Sequence, residues 1–140
     1  MPRRRPSSLR SEQWKPSRPR GRHVAGVSSR TRAAIRRVEE EHLWPGAVAD
    51  GIERFQRYLR QPGRDLRRPW ADCPCCDPLE AREELGQALR LLPRGARIDL
   101  EGIVDRLDAN FLRRTTWNPQ ARFHSAWAAG AWWRQRFLDV

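Results

Sequence analysis

Three cysteines fall within four positions of the stretch ADCPCCDPLE, residues 71–80. Cys73 and Cys76 form a C-x-x-C pair with Cys75 between them, and the residues that follow read as a helix start. A helix N-terminus carries partial positive charge, which favours a thiolate. Both metal binding and thiol exchange need that form. Three readings stand for these side chains: a metal site, a redox centre, or structural thiols that only pack.

A structural zinc wants four ligands, commonly one C-x₂₋₄-C pair and a second pair elsewhere. The chain has no second C-x-x-C and no H-x₃₋₅-H. Cys73, Cys75 and Cys76 would supply two or three thiolates, and His42 or His124 would complete the set if the fold brings one over. Two copies sharing a zinc is another route. As a redox centre, CPCC resembles the C-P-x-C of glutaredoxins, which also precedes a helix. That resemblance covers residues 73–76 alone, and the βαβ fold that carries it has no counterpart in a chain without strand signals. No Ser-His-Asp or Cys-His-Asn arrangement and no phosphate-binding glycine loop is present, so enzymatic activity has little to stand on. Asp99, Asp105 and Asp108 fall at helix-surface spacing, where solvation is the expected role.

The elements that must position the cysteines are helical. Thr31 to His42 reads as a short helix with Ile35 and Val38 on one face, although its arginines come first and Glu39, Glu40 and Glu41 last, against the helix dipole. Val48, Ile52, Phe55 and Leu59 keep helical spacing in a second helix, which Pro62-Gly63 ends. Asp77 as N-cap, Pro78 at N1 and Glu80 at N3 make the strongest helix start in the chain. Leu85, Ala88, Leu89 and Leu92 continue it, PRG at 93–95 breaks it, and Leu100, Ile103, Val104, Leu107 and Phe111 mark the next. These two predict an antiparallel hairpin over 78–113. TTWNPQ at 115–120 reads as a turn before a last helix over about Ala121 to Leu138. The expected fold is all-α: a bundle of about five helices in one domain, residues 31–140, behind a disordered Arg/Pro/Ser-rich arm, residues 1–30.

The charge is unevenly placed. The chain's formal charge is +11, and residues 1–37 hold eleven arginines and the sole lysine against one acid. Sixteen arginines against sixteen acids leave the remainder neutral. A GC-rich genome would also favour arginine through codon usage, so the location of the charge says more than the choice of residue. Such an arm suits sequence-independent phosphate contacts with nucleic acid, made by Arg3, Arg4, Arg5, Arg18, Arg20 and Arg22. Arg54, Arg57, Arg64, Arg67 and Arg68 form the one basic patch expected on the body. No secretory signal follows MPRRRP, and the longest apolar run, AWAAGAWW, is far short of the about 18 residues of a membrane span. An odd number of cysteines, two of them adjacent, favours a reducing cytoplasm over a disulfide framework.

Seven tryptophans are present. On a helix, Trp132 and Trp133 point about 100° apart, so one of them should be partly exposed. With Trp127 they either fill the gap above the hairpin or present a surface to a protein partner or second copy. The order CPCCDPLEA, a Leu-rich helix, LP-R, a second helix, then LDANFLRRT resembles a pattern in small uncharacterised CPCC-containing proteins of high-GC actinobacteria. It covers residues 73–115, implies a bacterial cytoplasmic setting and supplies no activity. The sequence thus points to a small cytoplasmic binding protein, nucleic-acid-associated through its arm, with a cysteine cluster able to take a structural zinc. The competing expectations are an adaptor with a Trp-rich surface and a thiol redox or metal-transfer protein.

Overall fold

The computed structural model describes residues 22–67, 77–119 and 131–137. Cys73, Cys75, Cys76, His124, Trp127, Arg68 and the arm residues Arg3, Arg4, Arg5, Arg18 and Arg20 lie outside the described residues. Four α-helices are found among those described: α1 (Ser29–His42), α2 (Ala47–Leu59), α3 (Pro78–Leu91) and α4 (Arg94–Arg113). None of them is long and apolar enough to cross a membrane.

The first helix starts earlier than its apolar pattern suggests, because Ser28 caps it: the Ser28 hydroxyl accepts the Thr31 N–H at 3.1 Å. Val24 and Val27 are buried in the same core cluster as Ile35 and Val38. The body therefore begins before residue 31, and residues 22–28 belong to it rather than to the arm.

Glu39 resolves the reversed charge order of α1. Its side chain does not follow its own helix; it reaches the N-terminus of the next. One carboxylate oxygen accepts the Gly46 N–H at 3.0 Å and the other accepts the Val48 N–H at 3.0 Å, in a residue only 6% exposed. Gly46 occupies the N-cap position of α2 with φ +83 and has no side chain to cap with, so Glu39 does this from seven residues earlier in the chain. The helix then packs on α3 at Gly51, where a Cβ would meet Leu85 Cδ2 at 3.3 Å and the Ala81 carbonyl at 3.4 Å.

The hairpin expected over 78–113 forms as α3 and α4, with Asp77 accepting the Leu79 N–H at 2.9 Å and Pro78 opening the helix. α2 packs chiefly on α3, and α1 on α4. Two arginines close helix C-termini. The Arg114 guanidinium donates to the carbonyls of Leu59, Gln61, Gly63 and Arg64, drawing the chain after α2 back so that Leu66 is fully buried. Arg136 donates to the Leu112 and Thr115 carbonyls at 3.1 and 2.6 Å, closing α4.

The C-terminal helix expected over Ala121 to Leu138 is not what the described part adopts. Residues Trp132–Gln135 form a 3₁₀ turn, and β1 (Thr116–Trp117) pairs antiparallel with β2 (Arg136–Phe137). Trp132 packs edge-on against Phe111 at 6.1 Å between centroids, and edge-on against Trp133 at 5.8 Å. Both rings pack into one core cluster, and pairing with β1 holds residues 136–137 extended. The bundle is mostly helical, with four helices described where about five were expected.

Candidate functional site

The C-terminal segment meets the start of α3 and the end of α4 through charged side chains. Arg82, on α3, has a side chain 7% exposed and pairs with Asp108 on α4 through two hydrogen bonds, Nε to Oδ1 at 2.8 Å and Nη2 to Oδ2 at 3.0 Å. Its guanidinium lies 4.3 Å from the Trp133 ring centroid, and 5.8 Å from that of Trp132. Asp108 is thus the counter-ion of a buried arginine, where solvation alone was expected of it. Asp99 also does more: it accepts from the Thr31 and Ser28 hydroxyls at 2.6 and 3.3 Å, tying α4 to the start of α1. Those bonds, Thr31's first, hold its carboxyl below the usual range.

Arg134 bridges Asp77 at 2.7 Å and Glu83 at 2.6 Å. Burial works against its charge, but the bonds to Glu83 and Asp77 more than offset this and raise its pKa. Asp77 therefore serves twice, as the cap of α3 and as an anchor for the C-terminal segment. It follows Cys76 directly in sequence.

Beside this network runs a groove of about 480 Å³. Its floor is the face of α3 carrying Glu80, Glu83, Glu84 and Gln87, with Arg90 at one end and Trp133 as a wall. Glu84 faces Arg54 of α2 at 3.8 Å, which in turn approaches Asp50 at 3.5 Å. Burial raises the Glu84 pKa; Arg54 opposes the shift, while the negative charges of Asp50, Glu80 and Glu83 add to it. A raised carboxyl pKa means the folded protein holds a proton the unfolded chain releases, so stability falls as pH rises above the ordinary carboxylate value. Glu84→Gln removes that fall. Urea midpoints of variant and parent should shift in the variant's favour between pH 4 and 7, by an amount within about 1 kcal/mol.

The basic residues divide into two groups. Arg54 is not part of an exposed patch: it is turned onto Asp50 and Glu84. Arg57 is exposed but pairs with Glu53 at 3.0 Å, and Arg22 bonds to the same carboxylate. Arg60, Arg64 and Arg67 are exposed around the end of α2. On α1, Arg30, Arg36 and Arg37 are exposed with no carboxylate partner among the described residues, while Arg32 bonds to the Val27 carbonyl. These four continue the charge of the arm onto the folded surface.

Of the proposed zinc ligands, only His42 is described; it is exposed, with Nε2 3.7 Å from Glu41. Among the described residues no three His, Cys, Asp or Glu side chains are placed to hold a metal ion. Trp133 is 7% exposed in a core cluster, with one edge lining the groove, and Trp132 is half-buried against the same cluster. Among the described residues the large exposed rings are Trp44 and Trp117, at 46% and 50%. Sequence reasoning missed Glu39, Arg82 and Arg134. A signal existed for Glu39 alone: three acids where a helix ends, followed by WPG, which supplies no capping side chain to the next helix. No family model, curated protein or solved structure matches the chain.

Proposed function

We propose that the protein is a nucleic-acid-associated binding protein whose arginine arm and outer α1 face contact phosphates without reading sequence. The observation that carries this is how the arginines are used. Those at 54, 82, 114, 134 and 136 are held by carboxylates or helix-end carbonyls. Those at 30, 36 and 37, next to the arm, face outward without a described counter-ion.

The test is anisotropy of labelled duplex DNA and single-stranded RNA against salt, with the parent and an Arg30→Gln, Arg36→Gln, Arg37→Gln variant. Each lost phosphate contact on B-DNA removes about 0.9 from the slope of log K against log salt, so the triple change should reduce it by about 2 to 3. An unchanged slope in the variant, or salt-insensitive binding by the parent, would remove the reading.

In the same reading Cys73, Cys75 and Cys76, with His124 or His42 as a further ligand, hold a structural zinc that braces the chain ahead of Asp77. The expected result is one zinc per chain in protein purified under reducing conditions, with masked thiols; half a zinc per chain would indicate a site shared by two copies. Three freely titrating thiols and no metal would discard the zinc.

A further inference from the structure

The acidic groove on α3 combines two features that differ in kind. Its carboxylates are under-compensated: Glu80 is paired with no cation among the described residues, and Glu84 Oε2 has no hydrogen-bond partner. Its Trp133 wall is apolar. A simple cation would answer only the first. An extended peptide carrying cationic side chains and prolines answers both: ammonium or guanidinium for the carboxylates, and a pyrrolidine ring against the indole.

The chain contains such a peptide. Residues 1–21 hold six arginines and one lysine against one acid, interleaved with prolines, as in the run KPSRPR at residues 15–20. The described body also begins at a suitable place. Arg22 lies against the N-terminus of α2, close to Gly46, and its side chain bonds to Glu53. The next residues along that helix surface, Asp50 and Arg54, face Glu84 across the α2–α3 contact. Residues 15–20 lie two to seven positions before Arg22, a reach of roughly 7–25 Å in extended chain, comparable with crossing one or two helix diameters of about 10 Å.

We infer that the groove formed by Glu80, Glu84 and Trp133 is a docking site for an Arg/Pro-rich extended peptide, and that its occupant is the chain's own segment from Lys15 to Arg20. This goes beyond the nucleic-acid reading and does not depend on it. Charge complementarity makes the docking salt-sensitive. The site then holds the arm against the body in the absence of a competing polyanion.

Lys15 is the chain's only lysine, which supplies a clean probe. The whole 140-residue chain, free of nucleic acid, is treated with a zero-length carboxyl–amine cross-linker at roughly 0.05 M salt, and Lys15 adducts are mapped by mass spectrometry; mixing isotopically light and heavy chains separates links within and between molecules. The expected products are intramolecular Lys15–Glu80 and Lys15–Glu84 links, lost at roughly 0.5 M salt. Glu80→Gln, a half-exposed position that leaves the fold intact by circular dichroism, should cut the total Lys15 yield several-fold. Links from Lys15 to Glu40, Glu41 or Glu53 in place of the groove, links only between molecules, or no Lys15 link at all would each overturn the assignment.

Discussion

A chain carrying Asp108→Ala unfolds at a urea midpoint far below that of the parent, with a loss of about 3–5 kcal/mol. The size follows from what remains behind. Arg82 is 6% exposed, its Nη1 already lacks a partner, and both of its hydrogen-bonded contacts to a carboxylate go to Asp108. Removing that carboxylate leaves a charged guanidinium between α3 and the Trp133 ring with only the cation–π contact to offset it. For a domain with a total stability of about 5–15 kcal/mol, such a loss takes much of the fold. The companion variant Arg82→Met, Asp108→Leu removes both charges and keeps the volume, and most of the stability should return. If Asp108→Ala left the midpoint unchanged, the Arg82 head would have to reach water.

The second large effect belongs to Glu39. Glu39→Ala strips the acceptor from two buried backbone N–H groups, at Gly46 and Val48, and leaves α2 without an N-terminal cap. The expected loss is about 2–4 kcal/mol. Glu39→Gln keeps one oxygen, so it should fall between alanine and the parent. Urea denaturation followed by far-ultraviolet circular dichroism measures both. Equal midpoints for Gln and Ala would mean that only the charge matters, and that the two N–H contacts do not act as separate hydrogen bonds.

These two sites show where the sequence stops being readable. The α3–α4 hairpin was legible because Asp77-Pro78 and the break at 93–95 are local signals, satisfied within a few residues of where they occur. The helices α1 and α2 were legible from their apolar stripes. Glu39, Arg82, Asp108, Arg114 and Arg134 were not, because each acts on a partner that only the tertiary fold brings near. On a helix surface a charged residue at solvent spacing looks the same whether it meets water or a buried counter-ion. The C-terminal helix was misjudged for a related reason. Its aromatic richness signals burial, and burial does not distinguish an α-helix from the 3₁₀ turn and short β pair found there. Of the candidate functional site, the basic α1 face was visible as a run of arginines, whereas the groove needed Trp133 to be placed beside α3.

The C-terminal segment lies over two helix ends at once. Arg134 holds Asp77 at the first turn of α3, Arg136 holds the Leu112 carbonyl in the last turn of α4 and the Thr115 carbonyl just beyond it, and Trp133 covers the guanidinium of Arg82. Residues 131–137 cannot peel away without uncapping α3, freeing the last turn of α4 and hydrating a buried arginine in the same event. The first turn of α3, the last turn of α4 and the β1–β2 pair therefore form one cooperative opening unit, and their amides exchange with solvent at a shared free energy.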